Sequence, residues 1–259
     1  MKNEIQQISI IGSGNVAWHL AKNFVELGVN VSHIYGRTPK HVEELCTETG
    51  SINTRSISEL PKNQFVLICT PDDSIASICD LIDDSCPVAY TSGSIEISSL
   101  PQRTNLGVFY PLQTFSKHIE LDLSTVPFFI ESTNEEFTQA LFILASKITD
   151  TITLANSQER SELHLAAVFV NNFTNHLYQV GAQICEEQEV PFELLRPLIA
   201  ETAAKIESIT PKEAQTGPAL RNDKTTLQKH LDQLRDPVFK NLYLTLTESI
   251  QKNDEYSKL

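Results

Sequence analysis

The sequence is short of positive charge. It contains 20 Lys and Arg residues against 33 Asp and Glu residues, which gives a formal net charge of −13 at pH 7. Nucleic acids and anionic membrane surfaces repel such a chain, so we expect neither as a partner. A small anionic ligand is compatible with this charge, because a local group of Arg, Lys and backbone N–H groups can still bind it.

The sequence also lacks paired cysteines and long apolar runs. Its five cysteines form no Cys-x-x-Cys pair, and two of them lie within apolar runs, where cysteine usually acts as a small core residue. We therefore expect no disulfide framework, no metal site and a reducing, cytoplasmic location. No apolar stretch approaches the roughly 20 residues that span a bilayer, and the first residues do not have the layout of a secretory signal.

Short apolar runs alternate with amphipathic segments from Ile5 to about Leu154. β-branched runs separated by helical patterns indicate βαβ units, so we expect an α/β fold with a doubly wound, mostly parallel sheet of Rossmann type. The predicted strands are Gln7–Ile11, Val29–Tyr35, Phe65–Cys69, Val88–Thr91, Asn105–Tyr110, Phe128–Glu131 and Thr151–Leu154, and the predicted helices are Val16–Leu27, His41–Glu48, Asp73–Ile82 and Glu135–Lys147.

The sequence after Ala155 is essentially all-α. One continuous helix is predicted over Ser157–Glu189, and a loop is predicted around Pro211 and Gly217. For 259 residues, two modest domains are a better expectation than one core. We place a dinucleotide-binding domain at residues 1–156 and a helical domain at residues 157–259. The later predicted helices are Phe192–Ile206, Thr225–Arg235 and Val238–Gln251.

A glycine turn follows the first predicted strand. Gly12 permits a tight turn, Gly14 lets backbone N–H groups approach a pyrophosphate, and Ala17 is small enough for helix–strand packing. The N-terminus of the next helix would bind the anion. Because the pattern stands between a predicted strand and a predicted helix, it favours a dinucleotide site over an ordinary turn. The residues expected there are Gly12, Ser13, Gly14, Asn15, Val16 and Ala17.

The end of the second predicted strand favours NADP over NAD. An NAD enzyme places Asp or Glu there to bind the ribose hydroxyls. Here the chain continues Gly36-Arg37-Thr38-Pro39-Lys40, with no acidic residue before Glu43. Arg37 and Lys40 could pair with a 2′-phosphate and Thr38 could hydrogen-bond it, whereas a carboxylate would repel it. The alternative is a solvated basic loop.

Loops at the ends of later strands should line the same cleft, because ligands of doubly wound sheets bind at the carboxyl ends of the strands. The loop that begins at Cys69 is expected beside the ribose and nicotinamide, and the loop Thr91–Ser94 and the segment Tyr110–Phe115 should also line the cleft. The residues expected at the cofactor in the two loops are Cys69, Thr70, Pro71, Ser92 and Gly93.

One face of the long predicted helix carries polar residues, among them Ser157, Arg160 and His164. Such a stripe is usually the solvated side of a helix. It has little charge beyond Arg160, however, which also suits a partly buried cleft wall. His164 could donate a proton, because histidine exchanges protons near neutral pH, or it could be structural. Asn171 or Asn172 could orient a substrate.

Arg221 is a candidate clamp for a substrate carboxylate, because a guanidinium binds such a group bidentately. It follows the turn Thr216-Gly217-Pro218 and precedes Asp223, which is predicted to cap a helix. Arg221 could instead pair with Asp223 and hold the loop.

Four motifs together resemble one family. They are Gly12–Ala17, Tyr110–Phe115, His164–Phe169 and Thr216–Pro218 with Arg221 and Asp223. The sequence is similar to bacterial Rossmann-like proteins with a C-terminal domain of unknown function, usually labelled NADP oxidoreductases. The motifs cover nearly the whole chain, so the resemblance is not confined to the nucleotide fold.

The chain more distantly resembles pyrroline-carboxylate reductase, deazaflavin-dependent NADP reductase and the 6-phosphogluconate-dehydrogenase-like superfamily. These relatives imply a helical C-terminal domain that forms a homodimer and an active site between the domains. The hydroxyacid dehydrogenases of this superfamily carry Lys-x-x-x-Asn on the long helix. Here His164 begins that stretch and Val168 lies four residues later, so their lysine mechanism does not transfer.

The sequence supports an NADP-dependent oxidoreductase that acts on a small polar carbonyl, imine or alcohol. His164 would donate the proton, Asn171 or Asn172 would orient the substrate, and Arg221 would bind an acidic group. One alternative is a non-catalytic NADP-binding regulator or scaffold that acts through a helical dimer interface, because the same fold serves unrelated functions. Another is a deazaflavin–NADP hydride exchanger, which would need a second large cofactor groove.

Overall fold

A sheet of eight strands forms the centre of the first part of the chain. The strands are β1 (Gln7–Ile11), β2 (Asn30–Tyr35), β3 (Ile52–Asn53), β4 (Phe65–Ile68), β5 (Val88–Tyr90), β6 (Leu106–Pro111), β7 (Phe128–Ser132) and β8 (Ile152–Leu154). They lie in the order β3-β2-β1-β4-β5-β6-β7-β8, and neighbouring strands are parallel except β6 and β7. This computed structural model describes residues 4–256; residues 1–3 and 257–259, which the predicted domains include, lie outside the described part.

Helices cover both faces of the sheet, which confirms the expected doubly wound α/β fold. Along β4, Phe65 and Leu67 belong to the core on one face, whereas Val66 and Ile68 belong to the core on the other. With both faces covered, ligands have access mainly at the strand ends. The first face packs against α1 (Asn15–Glu26), α2 (Pro39–Thr49) and α4 (Glu135–Ser146), and the second against α3 (Asp72–Leu81).

The chain reverses its direction after β6. Strand β7 runs antiparallel to β6, with Pro111 opposite Phe128 and Val108 opposite Glu131. This pairing holds Glu131 within the sheet, where its side chain is 15% exposed. A carboxylate so far removed from water needs a compensating partner.

The long helical segment is less regular than predicted. It consists of α5 (Ser157–Ala167), a π-helical stretch (Val168–Phe173) and α6 (Thr174–Glu187). The prediction of one regular helix over Ser157–Glu189 is therefore wrong at the π-helical stretch, a rare form that often marks functional sites. The chain forms two compact units, which divide at Asn171–Asn172 within this stretch. The domain boundary after Asn156 rests on the change from an alternating strand and helix pattern to an all-α pattern, and it stays a prediction.

The second unit consists of helices. Ala219 is its one buried side chain among those described, and large apolar side chains such as Leu194, Leu198 and Val238 are 68%, 63% and 65% exposed. Within residues 4–256, no helix combines the length and the apolar character needed to cross a bilayer. Beyond α6, the helices are α7 (Arg196–Lys205), α8 (Pro211–Ala214, in the predicted loop), α9 (Lys224–Gln233) and α10 (Pro237–Tyr256).

Candidate functional site

The turn after β1 accepts only glycine at its first position. Gly12 has φ +131°, and a Cβ there would lie 2.8 Å from the carbonyl carbon of Cys69. Its N–H donates to the Tyr35 carbonyl at 2.7 Å. The turn therefore lies in close contact with the ends of β2 and β4. This agrees with the tight turn that the sequence predicts at Gly12.

The N-terminus of α1 is arranged to accept an anion. Its N-cap residue, Gly14, is exposed and offers no side-chain cap, and the first turn contains no acidic residue. The first N–H groups of a helix have no intrahelical acceptor and carry partial positive charge. The Asn15 side chain turns away to donate to the Phe115 carbonyl at 2.9 Å. Ala17 is fully buried, which permits helix–strand packing.

The loop after β2 lies directly beside this turn. A Cβ on Gly36 would meet the Ser13 hydroxyl oxygen at 2.8 Å, so the two loops touch. Arg37, Thr38 and Lys40 are exposed, and helix α2 begins between them without a side-chain cap or an acidic residue in its first turn. A second uncapped helix start, flanked by two cationic side chains, thus borders the glycine turn.

The second acidic residue of α2, Glu44, is already paired. The ammonium group of Lys117 hydrogen-bonds the Glu44 carboxylate, and this bond lowers the pKa of Glu44. Lys117 also lies over the ring of Trp18 on α1, with its nitrogen 4.0 Å from the ring centroid. Part of the negative charge near the loop is thereby compensated.

The loop after β4 contains Cys69, Thr70 and Pro71. Burial raises the pKa of the Cys69 thiol to about 12, so this thiol stays protonated. Thr70 is half-buried and its hydroxyl accepts a hydrogen bond from Ser74 at 3.0 Å, while Pro71 is exposed at the start of α3. Cofactor binding by Cys69, Thr70 and Pro71 stays a prediction.

The loop after β5 is held in shape by its own side chains. The Ser92 hydroxyl accepts hydrogen bonds from the N–H groups of Ser94 and Ile95, both at 3.1 Å. Gly93 is buried, and a Cβ there would lie 2.7 Å from both His164 Nδ1 and Tyr110 Cζ. Glycine at this position makes room for two rings.

Those two rings form a pair at the end of β6. The Tyr110 hydroxyl and His164 Nδ1 are 3.0 Å apart, and the rings are T-shaped with centroids 6.0 Å apart. Burial raises the pKa of Tyr110. The sequence indicates His164 as a candidate, but it gives Tyr110 no role beyond lining the cleft. The available signal was a tyrosine at the carboxyl end of a buried strand.

An ion pair fixes the helix that carries His164. Arg160 is 1% exposed; its guanidinium hydrogen-bonds the Glu131 carboxylate and the Ile95 carbonyl. Ser157 donates to both Glu131 oxygens at 2.8 and 2.9 Å and accepts from the Ile97 N–H at 3.1 Å. This part of the polar stripe is therefore a buried contact rather than a solvated face. The sequence does not predict that Glu131 is the partner of Arg160.

The other predicted catalytic residues lie further along the chain. Asn171 and Asn172 belong to the π-helical stretch, where Asn171 is half-buried and Asn172 exposed. Arg221 is exposed in the helical unit. Asp223 caps α9 by accepting from the Thr226 N–H at 3.1 Å, as predicted, and its pKa is lowered mainly by its bonds to Thr226. The catalytic roles of the two asparagines and of Arg221 stay predictions.

The strand order, the glycine turn and the uncapped helix starts define a dinucleotide-binding protein of Rossmann type. A family model described as coenzyme F420-dependent NADP oxidoreductase matches residues 7–92, and a domain of unknown function, DUF2520, matches residues 126–250. No functionally curated protein matches the sequence.

Solved structures resemble the chain over nearly its whole length. A "putative NADP oxidoreductase" from Bacteroides fragilis is 35% identical, with a TM-score of 0.88 over 95% of this chain and 98% of that one. This chain belongs to that family of Rossmann-fold NADP oxidoreductases with a DUF2520 domain, and it is an oxidoreductase.

Two further structures share the fold at low identity. An imine reductase from Pseudomonas sp. is 15% identical, with a TM-score of 0.69 over 96% of this chain and 94% of that one. A reductive aminase from Aspergillus terreus is 12% identical, with a TM-score of 0.67 over the same shares of the two chains. At these identities the similarity establishes the fold alone.

Proposed function

We propose that the protein is an NADP-preferring oxidoreductase that transfers a hydride and a proton to or from a small polar carbonyl, imine or alcohol. The observation that carries this proposal is the position of His164 against Gly93 and Tyr110, at the carboxyl ends of β5 and β6. The glycine turn opens on the same edge, because β1, β4, β5 and β6 are parallel. A proton donor therefore lies on the edge where such sheets bind their cofactors.

The residues at this edge fit a dinucleotide phosphate. The Gly12–Ala17 turn and the start of α1 would hold the pyrophosphate. Arg37, Thr38 and Lys40 would hold the 2′-phosphate at the uncapped start of α2, where a carboxylate would repel it. NADPH supplies the hydride when it is bound.

His164 would donate the proton. As a hydride adds to the carbon of a C=O or C=N bond, negative charge develops on the oxygen or nitrogen, and this atom would take the proton from His164 Nε2. Asn171 or Asn172 would orient the substrate by hydrogen bonds, and Arg221 would bind an acidic group.

The fold relatives indicate which direction to test first. The Pseudomonas protein is an imine reductase, and the Aspergillus protein is a reductive aminase in complex with NADPH and ethyl levulinate. These names favour reduction of a carbonyl or imine over oxidation of an alcohol.

We also propose that the protein is a homodimer in the cytoplasm. Exposed Leu194, Leu198 and Val238 would lose contact with water if a second copy covered the helical unit. The double variant L194D/L198D should shift a dimer to monomer in sedimentation velocity, and a wild-type monomer at micromolar concentration would contradict the dimer. Free cysteines are compatible with a reducing compartment.

The cofactor preference can be measured by calorimetric titration with NADPH, NADP and NAD. Arg37→Ala should weaken NADPH binding about tenfold, the effect of about 1.4 kcal/mol, and leave NAD binding unchanged. Arg55→Ala is the matched control, because Arg55 is an exposed arginine outside this loop. Equal affinity of the wild type for NAD and NADPH would overturn the proposed preference.

Turnover can be tested by NADPH oxidation with pyrroline as a cyclic imine and with ethyl levulinate plus methylamine. His164→Asn should lower kcat by about 10²-fold or more, the contribution of a positioned acid, with NADPH affinity within twofold. His118→Asn is the matched control, because His118 is exposed in the segment between β6 and β7. Unchanged turnover in His164→Asn would refute the assignment, and cofactor binding without turnover of any probe would favour a regulator.

A further inference from the structure

We propose that Tyr110 is a positioning residue that keeps the proton of neutral His164 on Nε2 and replaces this proton from its own hydroxyl when His164 donates it. This inference rests on the proposed role of His164 as proton donor. It adds a residue that the sequence motifs leave without a function.

The hydrogen bond between the rings has a preferred direction. Burial raises the pKa of Tyr110, an effect opposed by the positive charge of Arg160, so the phenol keeps its proton. Within the described residues, His164 Nδ1 is the acceptor in reach of this hydroxyl, at 3.0 Å. A neutral imidazole carries one N–H, and an Nδ1 that accepts leaves this N–H at Nε2.

The structure fixes the imidazole from two sides. Gly93 has no Cβ, which leaves room for the rings of His164 and Tyr110. A Cβ at this position would lie 2.7 Å from both His164 Nδ1 and Tyr110 Cζ. One helical turn before His164, Arg160 is tied to Glu131 and Ile95. Within residues 4–256, Nε2 has no hydrogen-bond partner of its own. It is the nitrogen left for a substrate.

The proton balance is simple. The hydride forms a C–H bond, the oxygen or nitrogen of the substrate takes the Nε2 proton, and Nδ1 takes the phenolic proton of Tyr110. His164 ends neutral, with its proton on Nδ1, and Tyr110 ends as a phenolate near the Arg160 charge. A proton from solvent restores the phenol before the next turnover. Without the hydroxyl, donation from Nε2 would leave an unfavourable imidazolate.

Tyr110→Phe tests this role, because it removes the hydroxyl and keeps the ring. Tyr90→Phe is the matched control: Tyr90 is buried on β5 and donates its hydroxyl to the Ile95 carbonyl at 3.0 Å. The first measurement is the ring ¹⁵N spectrum of His164 in the cofactor-free protein. We expect the Nε2–H tautomer in the wild type and in Tyr90→Phe. In Tyr110→Phe, the Nδ1 resonance should move toward that of a nitrogen without a hydrogen bond.

The second measurement separates kcat from KM with NADPH and pyrroline. Tyr110→Phe should lower kcat by about 100-fold, near the lower end for a positioned acid, with KM and NADPH affinity within about twofold. Tyr90→Phe should stay within threefold of wild type. An Nδ1–H tautomer in the wild type, or an unmoved Nδ1 resonance in Tyr110→Phe, would overturn the inference even if no probe is turned over. If wild type and Tyr110→Phe turn over equally fast, the inference fails while the proposed function stands.

Discussion

Replacing Arg160 with methionine (R160M) should destabilise the unit that contains the sheet by several kcal/mol. The side chains of Arg160 and Glu131 are 1% and 15% exposed, so loss of the guanidinium leaves a largely buried carboxylate without its partner. The Ile95 carbonyl loses a donor at the same time. Removal of one partner of a buried ion pair costs about 3–5 kcal/mol, because the remaining charge is uncompensated.

Thermal unfolding followed by circular dichroism measures this effect. For a unit of this size, about 2–4 °C of Tm corresponds to 1 kcal/mol, so R160M should lower Tm by roughly 6–20 °C. Arg196→Met is the matched control. Arg196 and Glu193 also pair, but their side chains are 70% and 65% exposed, and such pairs contribute about 0–1 kcal/mol.

A double variant tests the cause. In R160M/E131Q the buried charge is gone, and the Gln oxygen can still accept from Ser157, so at least half of the lost stability should return. The reasoning is refuted if R160M unfolds at the same temperature as Arg196→Met. It is also refuted if R160M/E131Q is no more stable than R160M.

Two further predictions follow from single positions. Gly12→Ala should abolish stabilisation by NADPH in a thermal-shift assay, because Gly12 has φ +131° and no room for a Cβ beside Cys69. The control Gly50→Ala, at φ +71° in open space, should cost about 1 kcal/mol of stability and leave NADPH binding intact. Equal NADPH responses of the two variants would contradict this prediction. Iodoacetamide at pH 8 should label Cys69 and Cys79 in urea but not in the folded protein, because burial raises their pKa values to about 12 and about 11. Rapid labelling of either thiol in the folded protein, measured by mass spectrometry of peptides, would count against their burial.

The features that could be predicted from sequence are those with local causes. The turn at Gly12 and the start of α1 depend on a few neighbouring residues, and each β-branched run carries its own pattern. Strand β3 was missed because a pairing of two residues, Ile52 and Asn53, leaves almost no pattern. The π-helical stretch was missed because its residues also suit an ordinary helix.

The contacts at the candidate site depend on distant parts of the chain. Tyr110 and His164 are 54 residues apart, and Glu131 and Arg160 are 29 apart. Their meeting follows from the reversal of the chain between β6 and β7 and from the packing of α5, which periodicity does not encode. The sequence indicates His164 as a candidate proton donor, but it does not indicate that the phenol of Tyr110 lies at its Nδ1.

The division of the chain at Asn171–Asn172 also has a consequence for the order of assembly during synthesis. Units of a protein generally fold as they leave the ribosome, the N-terminal one first. The first compact unit ends after the residues that fix His164, so Gly93, Tyr110, Glu131 and Arg160 are all made before any residue of the second unit. The proton-handling groups can therefore reach their final arrangement while the helical unit, with little core of its own, is still being translated.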